Sequence, residues 1–319
     1  TPRSPSMAPA TVGFVLSLAL GHTTARQAPG SVLTQSQLQT YQNDGAILIR
    51  GLLQGELLDA AVAKGAEIAQ GARKTVHYDR ITFQDLHKHE VFRRIALHPD
   101  IAAIVRELTD AECDDVRVLK DAFLSSVPGK PGCGWHRDDS YFWPCPADAP
   151  GPGCNVWIAL SPMKVEHGGG LAVARGSYRA PWLPEAIKAI EGQTCALETV
   201  APHLHEKCEA VRQEWDVQPG DAIVHTRFCF HRGVPWTERG TAEWDGEPLM
   251  RYSVRYMPGE AVLDPQSFDP AVKEDGLGGK SLRSLGWRYP VCWPEASAEE
   301  EEQIRALAAG EGKASASSY

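Results

Sequence analysis

Residues 132–144 read GCGWHRDDSYFWP and set a histidine and an aspartate two positions apart, His136 and Asp138. On a strand, side chains at i and i+2 share a face, so both project to one side while Arg137 turns to the other. That face offers one neutral nitrogen and one anionic oxygen, the beginning of a metal site. A polar turn between two strands is the alternative, and an HxD pair alone does not separate the two. A third donor comes from His231, 95 residues on in PGDAIVHTRFCFHRG. That segment reads as a turn (QPGD), an apolar strand, and His231 with Gly233 at the strand's far end.

Two histidines and a carboxylate on one face of an octahedral ion leave three positions open, the pattern of non-haem Fe(II) oxygenases. A structural zinc site would instead close its shell with four ligands. Twenty residues past His231, LMRYSVRYM alternates Arg251, Ser253 and Arg255 on one strand face. A buried arginine facing the metal can pair bidentately with a dicarboxylate cosubstrate, and a serine hydroxyl can add a hydrogen bond. 2-Oxoglutarate has these needs: its keto-acid end chelates iron and its far carboxylate requires a cation. Arg251 is preferred as that anchor, with Arg255 as the rival. The ordered set is far more specific than any one of its parts.

These residues need elements to position them. Residues 34–44 start a helix with Thr34 as N-cap. A short strand follows at 45–53, then helical spacing at 56–70 and at 90–109 with a break at Pro99. From about 115 to 260, short apolar segments alternate with Gly/Pro turns, which predicts a sandwich or barrel. Segments 181–193 and 203–214 read as helical or loop insertions. HGGGLAVARG lacks phosphate-loop spacing and reads as a tight turn between strands. Three regions result: a lead-in at 1–31, one domain over 32–295, and an acidic helix with a tail at 296–319.

The net charge of −9 excludes a nucleic-acid face, which needs clustered Lys and Arg. No apolar run approaches a membrane span. The run VGFVLSLAL lies within 7–25, where a cleavable targeting segment is the alternative to a helix or lead-in. Cytoplasmic placement is the main expectation. The eight cysteines form no CxxC pair and read as mainly reduced thiols.

From about 34 to 260 the chain resembles the phytanoyl-CoA dioxygenase family of Fe(II)/2-oxoglutarate oxygenases. The resemblance is carried by LQTYQNDGAILIRGLL, FRRIALHPDIAAIVRELT, GWHRDDSYFW, VWIALSPMKVEHGGGLAVARGSY and PGDAIVHTRFCFHRG. It implies a mainly β fold with flanking helices, a double-stranded β-helix of the jelly-roll or cupin-like kind. It also implies iron on His136, Asp138 and His231, 2-oxoglutarate on Arg251, Trp157 near that cosubstrate, and Phe123 at a pocket position. O2 is the third reactant, with ascorbate as an optional auxiliary. The implied reaction is hydroxylation of a small molecule or acyl compound, with 2-oxoglutarate converted to succinate and CO2. Halogenases related to the family carry a small residue in place of the carboxylate, so Asp138 favours hydroxylation over chlorination. The insertion PWTERGTAEWDGEP lengthens the loop before the arginine, His167 stands where the family has Asn, and Tyr178 ends a segment that is elsewhere GSH. The rivals are a cupin-like metalloenzyme without 2-oxoglutarate and a non-catalytic binding barrel. The sequence names neither the substrate nor the oligomeric state.

His225, six residues before His231, is a rival ligand, a neighbour of the ligands, or a core histidine. The HxH pairs at 87–89 and 203–205 lack a downstream set and read as surface, His167 as a turn residue, and Asp139 as facing away from Asp138. Trp135, Tyr141, Phe142 and Trp143 either line a substrate pocket or pack a barrel rim. Arg232, Trp236 and Arg239 sit on the loop after the distal histidine as substrate contacts.

Overall fold

The computed structural model of the protein describes residues 32–71, 74–109, 113–139, 141–146, 153–191, 194–294, 296–300 and 302–304. The expected lead-in at 1–31, with its targeting segment, and the tail at 305–319 lie outside the described residues.

Helix α1 (Gln35–Asp44) begins in a capping box: the Thr34 hydroxyl accepts from the Gln37 amide, and the Gln37 side chain accepts from the Thr34 amide. Gly45, left-handed at φ 78°, ends it and turns the chain into β1 (Ala46–Ile49). Then come α2 (Gly55–Gly71), β2 (Arg80–Phe83), α3 (Asp85–Lys88), α4 (Glu90–Ala96) and α5 (Pro99–Thr109). The break expected at Pro99 separates α4 from α5. Next are β3 (Val116–Ser126), β4 (Cys154–Ala159), β5 (Leu171–Ala174), α6 (Leu183–Ala189), α7 (Leu197–Val200) and α8 (Pro202–Ala210). The chain continues through β6 (Arg212–Gln213), β7 (Ala222–Thr226), β8 (His231–Gly233), α9 (Glu238–Ala242), β9 (Leu249–Pro258), α10 (Pro270–Glu274) and β10 (Val291–Trp293).

Two antiparallel sheets organise the strands. The larger has the order β1-β7-β4-β9-β3-β10, with β2 also on β3, and the smaller has β6-β5-β8. Helices and large sheet share one apolar layer in which Phe92 of α4 stacks on Tyr252 of β9 at 4.4 Å between ring centroids. A second layer, with Trp157, Ala159 and Ile223 from the large sheet and Leu171 and Val173 from the small one, fills the space between the sheets.

Strand β9 is buried along nearly its whole length, which is why its alternation matters. Tyr252, Val254 and Tyr256 join the helical layer. Arg251, Ser253 and Arg255 therefore face the other way, toward the small sheet. Register carries this division across the sheet. Arg255 stands opposite Asn155, and Ser253 opposite Trp157. His225 and Ile223 of β7 oppose Asn155 and Trp157 in turn. Phe123 is paired with Tyr252 and packs with Phe92, so it belongs to the helical layer. The expected pocket role of Phe123 is thereby corrected: one residue of strand parity turns it from the inner face.

Candidate metal centre

Residues 132–138 form no regular strand. His136 instead makes an isolated antiparallel bridge to His231, each amide donating to the other's carbonyl at 2.9 Å. Such a mutual pair puts both side chains on one face, and the two imidazole centroids lie 4.3 Å apart. Close backbone approach makes the bridge possible. Gly132 has φ +71°, and a Cβ there would lie 2.9 Å from the Gly233 backbone; at Gly134 it would lie 2.8 Å from the Cys195 carbonyl oxygen. The glycines before the HxD pair thus serve the crossing of two segments.

The three expected ligands come together. Donor atoms of His136, Asp138 and His231 all lie within 4.8 Å of one another, and all three residues are buried. His136 Nδ1 is 2.7 Å from the Gly134 carbonyl and His231 Nδ1 is 3.1 Å from the Cys229 carbonyl. A carbonyl only accepts, so each Nδ1 carries the proton and each Nε2 keeps its lone pair. Both Nε2 atoms turn to the same carboxylate oxygen, Asp138 Oδ1, at 3.5 and 3.6 Å. Burial and the neighbouring His136 lower the His231 pKa, which favours the neutral, ligating ring.

Arg255 holds the carboxylate from behind. Its Nε and Nη2 donate to Asp138 Oδ2 at 3.0 and 2.7 Å, leaving Oδ1 to the histidine side. Burial by itself would raise the Asp138 carboxyl, but the Arg255 charge and the two histidines hold it well below the usual range. The Arg255 guanidinium lies 4.3 Å from the Phe142 ring centroid, and Lys120 lies 3.6 Å from that of Tyr141.

His225 is excluded as a ligand by its own partners. Its Nδ1 donates to the Thr226 carbonyl at 3.0 Å, so its Nε2 accepts from the Asn155 amide at 2.9 Å. Asn155 Oδ1 then accepts from the Ser253 hydroxyl at 2.8 Å. Burial and His231 depress the His225 pKa to about 3. The same chain commits the proton that Ser253 was expected to offer a cosubstrate.

Arg251 makes no ion pair among the described residues. It is buried, lies over the Tyr78 ring at 5.0 Å and hydrogen-bonds to Tyr78, while its Nη1 meets no acceptor among the described residues. Trp157 is buried between the sheets on the same inner face.

Other expected positions resolve differently. Arg232 pairs with Glu209 at 2.6 Å and Arg239 pairs with Glu166 and Glu243. The Trp236 indole donates to the Ser126 hydroxyl at 3.1 Å. None of these three joins the triad. Trp135 packs among the inserted helices and donates to Glu209. Of the four aromatic residues, Trp143 lines the cavity that reaches Asp138, and Asp139 lines it too. His87, expected at the surface, is half-buried on helix α3 against Trp287, where burial lowers its pKa to about 4. The mainly reduced reading holds for six cysteines, whereas Cys133 and Cys195 form a disulfide. Their separation of 62 residues carried no motif that would have paired them. Tyr78 and Asn155 also escaped sequence reasoning: Tyr78 lies in a loop, and Asn155 gains its role only through strand register.

Comparison with known families places the fold and the donor set in context. The model of the phytanoyl-CoA dioxygenase family matches residues 41–237, and the chain belongs to this family. Among solved structures it is similar to the non-heme alpha ketoglutarate dependent carbocyclase SnoK from nogalamycin biosynthesis. Identity there is 21%, over 84% of this chain and 99% of that one, with a TM-score of 0.64. The epimerase SnoN, solved in complex with Fe3+, alpha ketoglutarate and nogalamycin RO, gives 20%, 81%, 98% and 0.60. EctD from S. alaskensis, solved with 2-oxoglutarate and 5-hydroxyectoine, gives 15%, 75%, 81% and 0.57. No curated protein matches the sequence. The expected cofactors, Fe(II) and 2-oxoglutarate, agree with the family and with the His136, Asp138 and His231 donors.

Proposed function

We propose that the protein is an Fe(II)/2-oxoglutarate-dependent dioxygenase that hydroxylates a small molecule or acyl compound, and that its two sheets form a double-stranded β-helix. The observation that carries this reading is a convergent donor set beside a buried spare cation. Nε2 of His136 and Nε2 of His231 both face Oδ1 of Asp138, with the donors of all three residues within 4.8 Å of one another, and Arg251 Nη1 on the same inner face has no acceptor among the described residues.

In this reading His136, Asp138 and His231 would hold iron, and Arg251 would pair with the far carboxylate of 2-oxoglutarate. Iron, 2-oxoglutarate and O2 together supply the oxidising chemistry, with succinate and CO2 as products. The chain's own part is orientation and electrostatics. The Gly134 and Cys229 carbonyls keep both Nε2 atoms unprotonated. Arg255 fixes Asp138 through Oδ2 and keeps it ionised. Tyr78 steadies the Arg251 guanidinium, whose planar fork suits a carboxylate. Trp157 and Ile223 exclude water from the inner face.

SnoK and SnoN are described as a carbocyclase and an epimerase, so ring closure or epimerisation is the second outcome open to the same site. Asp138 fills the carboxylate position, which supports hydroxyl return over halogen transfer. The test is an anaerobic titration of apoprotein with Fe(II) and then 2-oxoglutarate. A visible charge-transfer band that needs both additions is expected, and Asp138→Ala should lose it. Absence of the band in wild type at saturating iron would overturn the reading.

A further inference from the structure

A cavity of about 180 Å³ opens beside Asp138, lined by Arg137, Asp139, Trp143, Arg227, Phe228 and Asp264 among others. It is built from the metal-bearing segments themselves. Arg137 lies between the two ligands of the HxD pair, and Arg227 and Phe228 lie on the stretch that leads from β7 to His231. We propose that this cavity binds the substrate through a carboxylate held by Arg137, with Arg227 adding positive charge, so that the substrate is a small free carboxylic acid rather than a neutral molecule or a thioester. This rests on the reading that the triad holds iron.

Four observations carry it. Arg137 is half-buried and makes no ion pair among the described residues. Its guanidinium stands 6.0 Å from the Phe228 ring centroid, and that of Arg227 stands 4.6 Å from the same ring. Two cations therefore converge on one aromatic side chain at the cavity wall. Arg227 is itself buried and is fixed there by Nη2 donating to the Pro146 carbonyl at 3.0 Å.

None of the acidic groups of the cavity forms an ion pair with Arg137. Asp138 is paired with Arg255. Asp139 accepts from the Tyr141 amide at 2.9 Å and from the Thr194 hydroxyl at 3.3 Å. Asp264 accepts from the Gln266 amide at 2.8 Å. Neither of the last two pairs with Arg137. An unpaired, partly desolvated guanidinium is a site for a planar oxyanion, and a carboxylate fits its fork. The volume is below the ~300–1,000 Å³ of a drug-sized pocket, so the cavity itself has room for a small acid head. Phe228 and Trp143 give that head aromatic walls.

The test uses full-length protein loaded with Mn(II) and 2-oxoglutarate, and benzoate and benzamide, which have one shape and differ in charge. Saturable paramagnetic broadening of the benzoate ring-proton signals is expected, with benzamide weaker by about tenfold or more. Arg137→Leu should weaken benzoate by a similar factor, and Arg137→Lys should restore part of it. Equal broadening by benzamide, no broadening by either probe, or benzoate binding untouched in Arg137→Leu would each overturn the proposal. Tighter binding of phenyl phosphate than benzoate would overturn the carboxylate assignment in favour of a phosphate. The Fe(II)/2-oxoglutarate band is recorded on the same protein. Its loss in wild type sinks the oxygenase reading, whereas an intact band without charge-dependent broadening sinks the carboxylate site alone.

Discussion

Arg251 and Arg255 share a strand face, yet their surroundings give them different work. Arg255 gives Nε and Nη2 to Asp138 Oδ2, whereas Arg251 pairs with no carboxylate among the described residues and meets only Tyr78. The two deletions should therefore separate. Arg255→Leu is expected to weaken Fe(II) binding about 10–100-fold, the usual cost of losing a group that orients a metal ligand. Arg251→Leu should leave Fe(II) binding near wild type and raise the Kd for 2-oxoglutarate. Anaerobic titrations followed by the charge-transfer band measure both constants, and equal loss of iron in the two variants would refute the division of roles. The alternation of Arg251, Ser253 and Arg255 was legible in the sequence because a strand has period two. Which arginine stays unpaired was not, since that depends on where Asp138 arrives from 117 residues away.

At the scale of elements, the metal centre depends on the crossing of residues 132–138 with β8. Gly132 meets the backbone of Gly233 and has a positive φ, so Gly132→Val strains the crossing twice. A loss of about 1–3 kcal/mol in stability is expected, together with weaker iron binding, read by urea unfolding and Fe(II) titration. The Cys133–Cys195 disulfide ties the same segment to the loop before α7. Cys195→Ser should cost about 2–4 kcal/mol in urea unfolding, and reductant should remove the difference from wild type. Unchanged unfolding midpoints under oxidising conditions would show that the bond does not brace the segment. The HxD stretch was expected as a strand. Isolated pairing of His136 with His231 needs no ladder, and Asp138 still reaches both histidines, so the ligand set survives the difference.

Across the whole molecule, the helical layer meets the large sheet at a buried acidic pair. Asp121 Oδ2 of β3 accepts from the Leu86 amide at 2.9 Å and from the Tyr252 hydroxyl at 2.7 Å, with Asp85 close by. Burial, and then Asp85, push the Asp121 carboxyl up to about 7. The folded protein therefore binds this proton more tightly than the unfolded chain does. The stabilisation is fully present below the ordinary carboxylate range of about 4, and it is lost as pH rises through about 7. Asp121→Asn cannot ionise and should escape that loss. Relative to wild type, its stability should improve by on the order of 2–4 kcal/mol between pH 5 and pH 8, measured as urea midpoints at both. Parallel pH dependences for the two proteins would rule the effect out.

Local patterning determined much by itself. The capping box at Thr34, the break at Pro99, the two insertions and the alternation of β9 are all written in short-range spacing, and spacing is enough because each depends on neighbours along the chain. The order of HxD, distal histidine and RxS was likewise readable, and it named the three residues that converge. Tertiary structure alone decided the rest. It turned Phe123 to the helical layer, satisfied His225 through Asn155, gave Arg255 to Asp138 and joined Cys133 to Cys195. Each of these depends on register or on contacts between segments distant in sequence, and periodicity carries no information about such partners.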